Sequence, residues 1–471
     1  MLSYLARINY NFRNRYYLSA TIRRDGSSRF GEKRRWGYFP SMSAGWVVSD
    51  EGFMRDSKFI SFLKVRASYG LSGNNQIPNY GAISLLGASN ANYASGTTLL
   101  NGQSVTTIPN ELLHWEKTSQ LNLGVDVRML KNRINLSADI YNSITKDMLL
   151  NVPIPDITGF STQLSNIGKM QNRGIELNLS TKNIVGNFNW TTDLNFSLNR
   201  NKVLRLGPGD APIIYTSYVV AVKTEVGQPV SNFYGYVFDG VFKNQKEIDA
   251  APHDATTRPG DPIVRDVNKD GKITSDDRTI LGNYQPDFIG GLTNTFSYKG
   301  IELSAMLQGS FGGEIVNQNV RYMGWWNNGR NMFAGVANRW RSEAEPGDGK
   351  HFRATLANTG LQSQFSSYWV EDASFVRIKN IRISYTLPAT WLAKTPLKNT
   401  RIYINAENVY LFSKYTNYDP ENTTYNATSY SAGNSGLAAD AAQAPSGAFI
   451  GVDYGSYPVP RIITFGIKTD L

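Results

Sequence analysis

Gln120-Leu121-Asn122-Leu123-Gly124-Val125-Asp126-Val127-Arg128-Met129, then Leu130-Lys131-Asn132-Arg133, then Ile134-Asn135-Leu136-Ser137-Ala138-Asp139-Ile140-Tyr141 is the stretch that decides the fold. Apolar residues alternate with polar ones on both sides of the four-residue break, and a period of two is the repeat of a strand, not of a helix. The stretch reads as a β-hairpin with one wholly apolar face and one face carrying Asp126, Arg128 and Asp139. From the hairpin alone, the apolar face fits a soluble core and lipid equally well.

Working outward, none of the 471 residues falls in a stretch with sustained three-to-four spacing or in a βαβ alternation, which leaves an all-β chain. Hydrophobic residues make up 41% but are dispersed singly along strands, and no run approaches the roughly 20 apolar residues of a spanning helix. Cysteine is absent and only three histidines occur, which removes disulfides, zinc clusters and thiol nucleophiles. The charge of +10 is scattered without a nucleic-acid module, so it reads as surface and interface charge and no nucleic acid is expected as a partner. Met1-Leu2-Ser3-Tyr4 leads straight into the alternating Leu5-Ala6-Arg7-Ile8-Asn9-Tyr10, with no secretory leader.

About thirteen strands of this kind are predicted, over 4–11, 15–24, 38–49, 59–71, 115–130, 133–146, 169–183, 187–200, 285–299, 301–309, 372–386, 399–412 and 460–471. Their polar face keeps Asp126, Asp139, Glu176, Asp193, Glu302 and Glu407. Short links near 11–14, 130–133, 183–186 and 298–300 and moderate ones at 50–58 and 387–398 alternate with long ones at 25–37, 72–114, 147–168, 201–284, 310–371 and 413–459. A soluble sandwich has no reason to sort its loops this way, whereas an outer-membrane barrel has tight periplasmic turns on one rim and long extracellular loops on the other. An odd number of strands cannot close as a bacterial single-chain barrel, and about nine more would give the 22 of outer-membrane transporters. The expected fold is an antiparallel transmembrane β-barrel, with residues 1–471 as its C-terminal part and the chain as a fragment.

Several blocks resemble one family. Ala20-Thr21-Ile22-Arg23-Arg24-Asp25-Gly26-Ser27-Ser28-Arg29-Phe30-Gly31, Gly37-Tyr38-Phe39-Pro40-Ser41, Leu63-Lys64-Val65-Arg66-Ala67-Ser68-Tyr69-Gly70 and Asn172-Arg173-Gly174-Ile175-Glu176 are similar to the SusC/RagA branch of TonB-dependent outer-membrane transporters. So are Arg377-Ile378-Lys379-Asn380-Ile381-Arg382-Ile383-Ser384-Tyr385, Asn405-Ala406-Glu407-Asn408 and Tyr457-Pro458-Val459-Pro460-Arg461. The resemblance implies a 22-stranded barrel around an N-terminal plug, a SusD-like surface lipoprotein over the extracellular mouth, energy supplied by the TonB complex, and oligosaccharide or peptide ligands. Nothing here resembles the plug or the segment that contacts TonB. The ending Thr469-Asp470-Leu471 departs from the terminal aromatic the family favours, although Ile463, Phe465, Ile467 and Leu471 keep an outward apolar face.

The sharpest local motif is Asp266-Val267-Asn268-Lys269-Asp270-Gly271-Lys272-Ile273-Thr274-Ser275-Asp276-Asp277. Asp266, Asn268, Asp270, Thr274 and Asp277 place side-chain oxygens at the first, third, fifth, ninth and twelfth positions, with the Lys272 carbonyl at the seventh and Gly271 at the sharp turn. That spacing matches an EF-hand-type loop and predicts a structural calcium ion (Ca2+) pinning the link 201–284. The competing reading is an Asp-Gly turn closed by its own hydrogen bonds. Aromatics crowd the long links: Tyr215, Tyr218, Phe233, Tyr234, Tyr236, Phe238 and Phe242 in one, Trp325, Trp326, Trp340 and Trp369 in or beside another. Of these, Tyr234, Tyr236, Trp325, Trp326 and Trp369 are the candidates for ligand or partner contact, against the alternative that they form the loops' own cores or the lipid-boundary girdle. No nucleophile and base occur at a recognised spacing, so no enzyme is expected.

The sequence therefore points to TonB-dependent uptake of oligosaccharide, or of peptide, across the outer membrane with a SusD-like lipoprotein. Two rivals stand beside it: a receptor for iron chelates or a vitamin, and a secreted all-β carbohydrate-binding protein or hydrolase with a calcium loop.

Overall fold

A computed structural model describes residues 1–87, 92–160, 162–217, 219–324, 330–355, 360–421 and 448–470. Thirteen long antiparallel strands follow one another in chain order. They are β1 (Leu2–Phe12), β2 (Tyr16–Gly26), β3 (Trp36–Val47), β4 (Ile60–Asn74), β5 (Glu116–Met129), β6 (Ile134–Pro153), β7 (Thr162–Ile184), β8 (Phe188–Arg205), β9 (Phe288–Tyr298), β10 (Ile301–Phe311), β11 (Phe375–Thr386), β12 (Lys398–Ser413) and β13 (Ile462–Asp470). Each coincides with one of the thirteen predicted from alternation. The chain divides into two compact units, the first holding β1–β8 with Asn294–Phe296 of β9, the second most of the remainder.

Register in the first unit turns the alternation into continuous rows. Tyr10, Leu18, Ala44, Ala67, Leu123, Ile140, Ile175 and Leu198 stand opposite one another across eight successive strands. One residue along, Asn9, Ser19, Ser43, Ser68, Asn122, Tyr141, Gly174 and Asn199 form the facing row. A slip of one residue in any strand would move its whole apolar set to the wrong side. Tyr10, Leu18, Leu123, Ile140 and Ile175 are exposed, so the apolar face is not the inside of a sandwich. Of the two readings the hairpin alone left open, a wholly apolar face left exposed fits contact with lipid, with the polar face towards a lumen. The second unit repeats the sorting, with Leu303, Ile383, Ile404 and Phe465 in one row and Glu302, Ser384, Tyr403 and Gly466 in the next.

Facing is testable one residue at a time. Leu123→Arg should cost roughly 2–4 kcal/mol of folding free energy in liposomes if the site lies at the bilayer midplane, and Asn122→Arg much less. Equal losses in the two variants, measured by denaturant titration, would count against a membrane barrel.

The hairpin of β6 and β7 is longer than its sequence pattern. Pairing is continuous from Ile134↔Thr181, but the register shifts between Lys146 and Met148 and again before Leu149, then resumes as far as Pro153↔Thr162. Asp147 takes a positive φ of 57° at that irregularity. Beyond it, Leu149 and Leu164 pack against a buried cluster of Phe30, Phe39, Ile77, Ala82, Leu113 and Trp115, contributed mostly by the long links that precede β3 and β5.

In the second unit three long links fold together. The link between β8 and β9 supplies Val220, Val222, Phe233 and Val241; that between β10 and β11 supplies Val316, Val320, Phe352, Phe365 and Trp369; that between β12 and β13 supplies Ala448, Phe449 and Val452. All are buried in a single cluster. A small sheet ties two of the links, Glu314–Asn317 pairing antiparallel with Val370–Asp372 and parallel with Val452–Asp453.

Candidate functional site

The lumenal face of the first unit is an array of hydroxyls, amides and compensated charges. Arg66 on β4 donates from Nε to Asp126 Oδ2 at 2.8 Å and from Nη2 to Asp126 Oδ1 at 3.1 Å and Asp139 Oδ2 at 3.0 Å, while Ser137 Oγ donates to Asp126 Oδ1 at 2.9 Å. The register explains how one guanidinium reaches two strands: Arg66, Gly124 and Asp139 stand in one row, and a Cβ at Gly124 would overlap both the Asp139 carboxylate and the Arg66 guanidinium. The same device recurs at Gly174, where a Cβ would collide with Tyr141; the Tyr141 hydroxyl reaches across to donate to Asn199 Oδ1 at 3.0 Å. In the second unit Arg401 donates to Glu302 at 3.2 Å. The carboxylates expected on the polar face thus include three held by cross-strand cations, an arrangement suited to a hydrated wall.

The folded links hold the sequence-predicted aromatics differently from one another. Trp369 is fully buried, its ring edge-on to Phe365 at 5.7 Å, and Tyr236 is buried beneath Arg278, whose guanidinium lies 5.3 Å from the ring centroid. Both belong to the interior of the loop module, so neither ring presents a face to a ligand, and the contact role expected of Trp369 and Tyr236 gives way to packing. Tyr234 is half-buried with Lys223 Nζ 4.9 Å from its ring. Trp325 and Trp326, like Tyr218 and Leu471, lie outside the described residues.

Polar anchors that periodicity could not single out pin the module. Arg377, buried on β11, donates from Nη2 to both oxygens of Asp419 at 2.7 and 2.8 Å and lies 3.1 Å from Glu421. Arg353 donates to both oxygens of Asp261 at 2.7 and 3.3 Å, joining the links before β9 and β11. The Tyr415 hydroxyl donates to Asp453 Oδ2 at 2.7 Å, as does Asn417 Nδ2 at 2.8 Å. Apart from Arg377 these partners sit in links without repeat, and each pair lies tens of residues apart with no local signal to join it.

The Asp266–Asp277 loop closes on itself. Asp266 accepts from Lys269 N at 2.6 Å and Gly271 N at 2.8 Å, Asp270 from Lys272 N at 2.8 Å, and Asn268 Oδ1 from Asp270 N at 3.0 Å. Gly271 has φ +79°, the turn that the motif requires. Asp277 is fully buried and accepts from Val267 N at 2.9 Å and Thr274 N at 2.8 Å. Burial alone would raise its pKa, but the N–H groups of Thr274, Val267 and Asn268 outweigh burial and hold the carboxyl below its usual range. Thr274 accepts from Asp276 N and caps the turn at Ser275–Asp277. Among the described residues no group of three or more His, Cys, Asp or Glu side chains is placed to hold a metal ion; the loop's oxygens are directed at its own backbone.

Residues 3–409 match the family model described as TonB dependent receptor-like, beta-barrel. The chain belongs to that family. TonB-dependent receptor P3 of Formosa agariphila is 33% identical over 481 aligned positions, which take in 99% of this chain and 45% of that protein. TonB-dependent receptor SusC of Bacteroides thetaiotaomicron is 31% identical, with 89% of this chain and 41% of that protein covered. Among solved structures, the RagAB peptide transporter superposes with a TM-score of 0.80 at 26% identity, covering 99% of this chain and 47% of that chain. This TonB-dependent receptor barrel is therefore of the SusC/RagA type and is an outer-membrane protein, which sets aside the secreted alternative. The family is one of receptors, not enzymes. The chain spans less than half the length of the relatives it matches.

Proposed function

We propose that this barrel portion serves a SusC-type importer that takes up oligosaccharide, or peptide, across the outer membrane together with a SusD-like surface lipoprotein and with energy supplied through the TonB complex. The observation that carries the reading is the likeness to the RagAB peptide transporter over 99% of this chain. The similarity to SusC supports it, and the compensated polar lumenal rows suit the passage of a hydrogen-bonding solute. The test is a strain lacking the receptor, grown on single glycan-derived oligosaccharides and on peptides, with an affinity-tagged receptor used to recover its partner. Loss of growth on one such nutrient and recovery of a lipoprotein are expected. Growth limited by iron supply instead would favour the iron-chelate rival.

We also propose a structural calcium ion at Asp266–Asp277. The support is the spacing of oxygen donors, and the cost is that a cation must displace hydrogen bonds such as that from Asn268 Nδ2 to Asp270 Oδ2 at 3.1 Å. Calcium should protect the link between β8 and β9 from protease, and replacing Asp266 and Asp270 by Ala should abolish that protection. Cleavage at the same rate in calcium and in chelator would leave the self-closed turn as the whole account.

A further inference from the structure

The lipid-facing row of β2 runs Leu18, Ala20, Ile22 and then meets a charge, Arg24. Register places Tyr4 of β1 and Tyr38 of β3 beside it in the same row. The Arg24 guanidinium carbon lies 4.2 Å from the ring centroid of Trp36 and 5.5 Å from that of Tyr38, and Tyr4 stacks with Trp36 at 6.1 Å. All four residues are exposed. Just beyond, in the link from β2 to β3, Lys33, Arg34 and Arg35 are exposed as well, while Glu32 is the one exposed acid of that link. Asp25 does not offset them, because it is buried and bound by Arg23 at 2.7 Å. The exposed charges, Arg24, Lys33, Arg34 and Arg35 less Glu32, sum to +3, while Arg29 of the same link is half-buried and donates to Asn79 Oδ1 and the Asn75 carbonyl.

We propose that this patch holds the phosphate of an anionic lipid headgroup in the leaflet at the long-link rim. The row decides the kind of partner: whatever meets Arg24 and Trp36 stands on the bilayer side of the sheet, directly above the exposed Leu18, Ile22 and Met42. Acyl chains lie along those residues and the headgroup reaches the cations. An Arg at mid-bilayer is costly, but the cost falls towards zero at the interface, where aromatics form the girdle. A guanidinium held over an aromatic face still has N–H groups for bidentate contact with phosphate, which an ammonium cannot copy. This end of β2 lies on the rim that carries the long link after β4, so the leaflet is the outward-facing one, and a phosphorylated glycolipid supplies the headgroup chemistry for the test.

The experiment uses the full-length receptor containing these residues, purified in detergent and titrated with lipid A or with its dephosphorylated form, bound lipid being counted by native mass spectrometry. Wild type should bind the phosphorylated lipid more tightly. Each cation removed should weaken it by about fivefold, so R24Q/K33Q/R34Q/R35Q loses on the order of several hundredfold if the four act independently. Heat-modifiable migration reports that the variant is folded; should it not be, Trp36→Leu and Arg24→Lys are measured instead, each expected to weaken phosphorylated-lipid binding severalfold. Equal binding of the two lipids by wild type, or undiminished binding by the folded variants, overturns the proposal. Complete displacement of the lipid by millimolar inorganic phosphate also overturns it, by assigning the patch to a free anion.

Discussion

Residues 1–471 made alone behind an added signal peptide should not give a heat-modifiable, protease-resistant monomer in the outer membrane. Among the described residues β1 is hydrogen-bonded to β2 only and β13 to β12 only. The outer edge of each therefore carries a row of unpaired N–H and C=O groups. In hydrocarbon each such group costs several kcal/mol, and β1 has eleven residues. The sum runs to tens of kcal/mol, beyond what side-chain contact with lipid can offset. The isolated chain should aggregate or be degraded, whereas the same residues within a whole receptor should migrate as a compact barrel before heating and as an unfolded chain after it. A folded monomer from residues 1–471 alone would mean that the two edges find partners which the present pairing does not contain.

Trp369→Ala is the second large effect. The ring is fully buried among residues of all three long links of the second unit, and removing a buried Trp costs about 3–5 kcal/mol. The loss should be local. Limited proteolysis should cut the links between β8 and β9 and between β10 and β11 far faster than in wild type, while heat-modifiable migration of the barrel stays unchanged. Tyr234→Ala, at a half-buried ring, serves as the control with a much smaller change. Unaltered cleavage in the Trp369 variant would show that the links are held by something other than their common core.

What could be read from the sequence follows from which interactions are periodic. All thirteen strands were visible because each lies between lipid and a polar lumen, and that boundary imposes the two-residue repeat on every one, as Leu123 and Asn122 illustrate. The repeat fails at Asp147, where a residue of positive φ shifts the pairing of β6 and β7, so alternation places the outer part of that hairpin in a link. The loop module was illegible for a related reason. Trp369, Phe233 and Phe449 meet from three separate links, and a core assembled across such distances leaves no spacing to detect; composition shows that the links are rich in aromatics but not which way the rings turn. Arg377 and Asp419 stand 42 residues apart with nothing local to pair them. The Asp266–Asp277 motif was legible as a turn, and its Asp-Gly geometry is present, but spacing alone does not distinguish oxygens that await a cation from oxygens that close on backbone N–H groups.

The common core of the three links also limits how such a receptor can change its preference. Were each long loop an independent finger, one could be exchanged between relatives and a new ligand acquired piecemeal. Here Phe449 from the link before β13 is buried against the other two, and Arg353 with Asp261 fastens those two together. A chimera carrying a single foreign link would inherit half of each contact and lose the fold of the others, whereas exchange of all three as a set would carry the core intact. Diversification of this receptor's outer surface should accordingly proceed by inheritance of whole loop modules, with single-link recombinants selected against for instability before any ligand is tested.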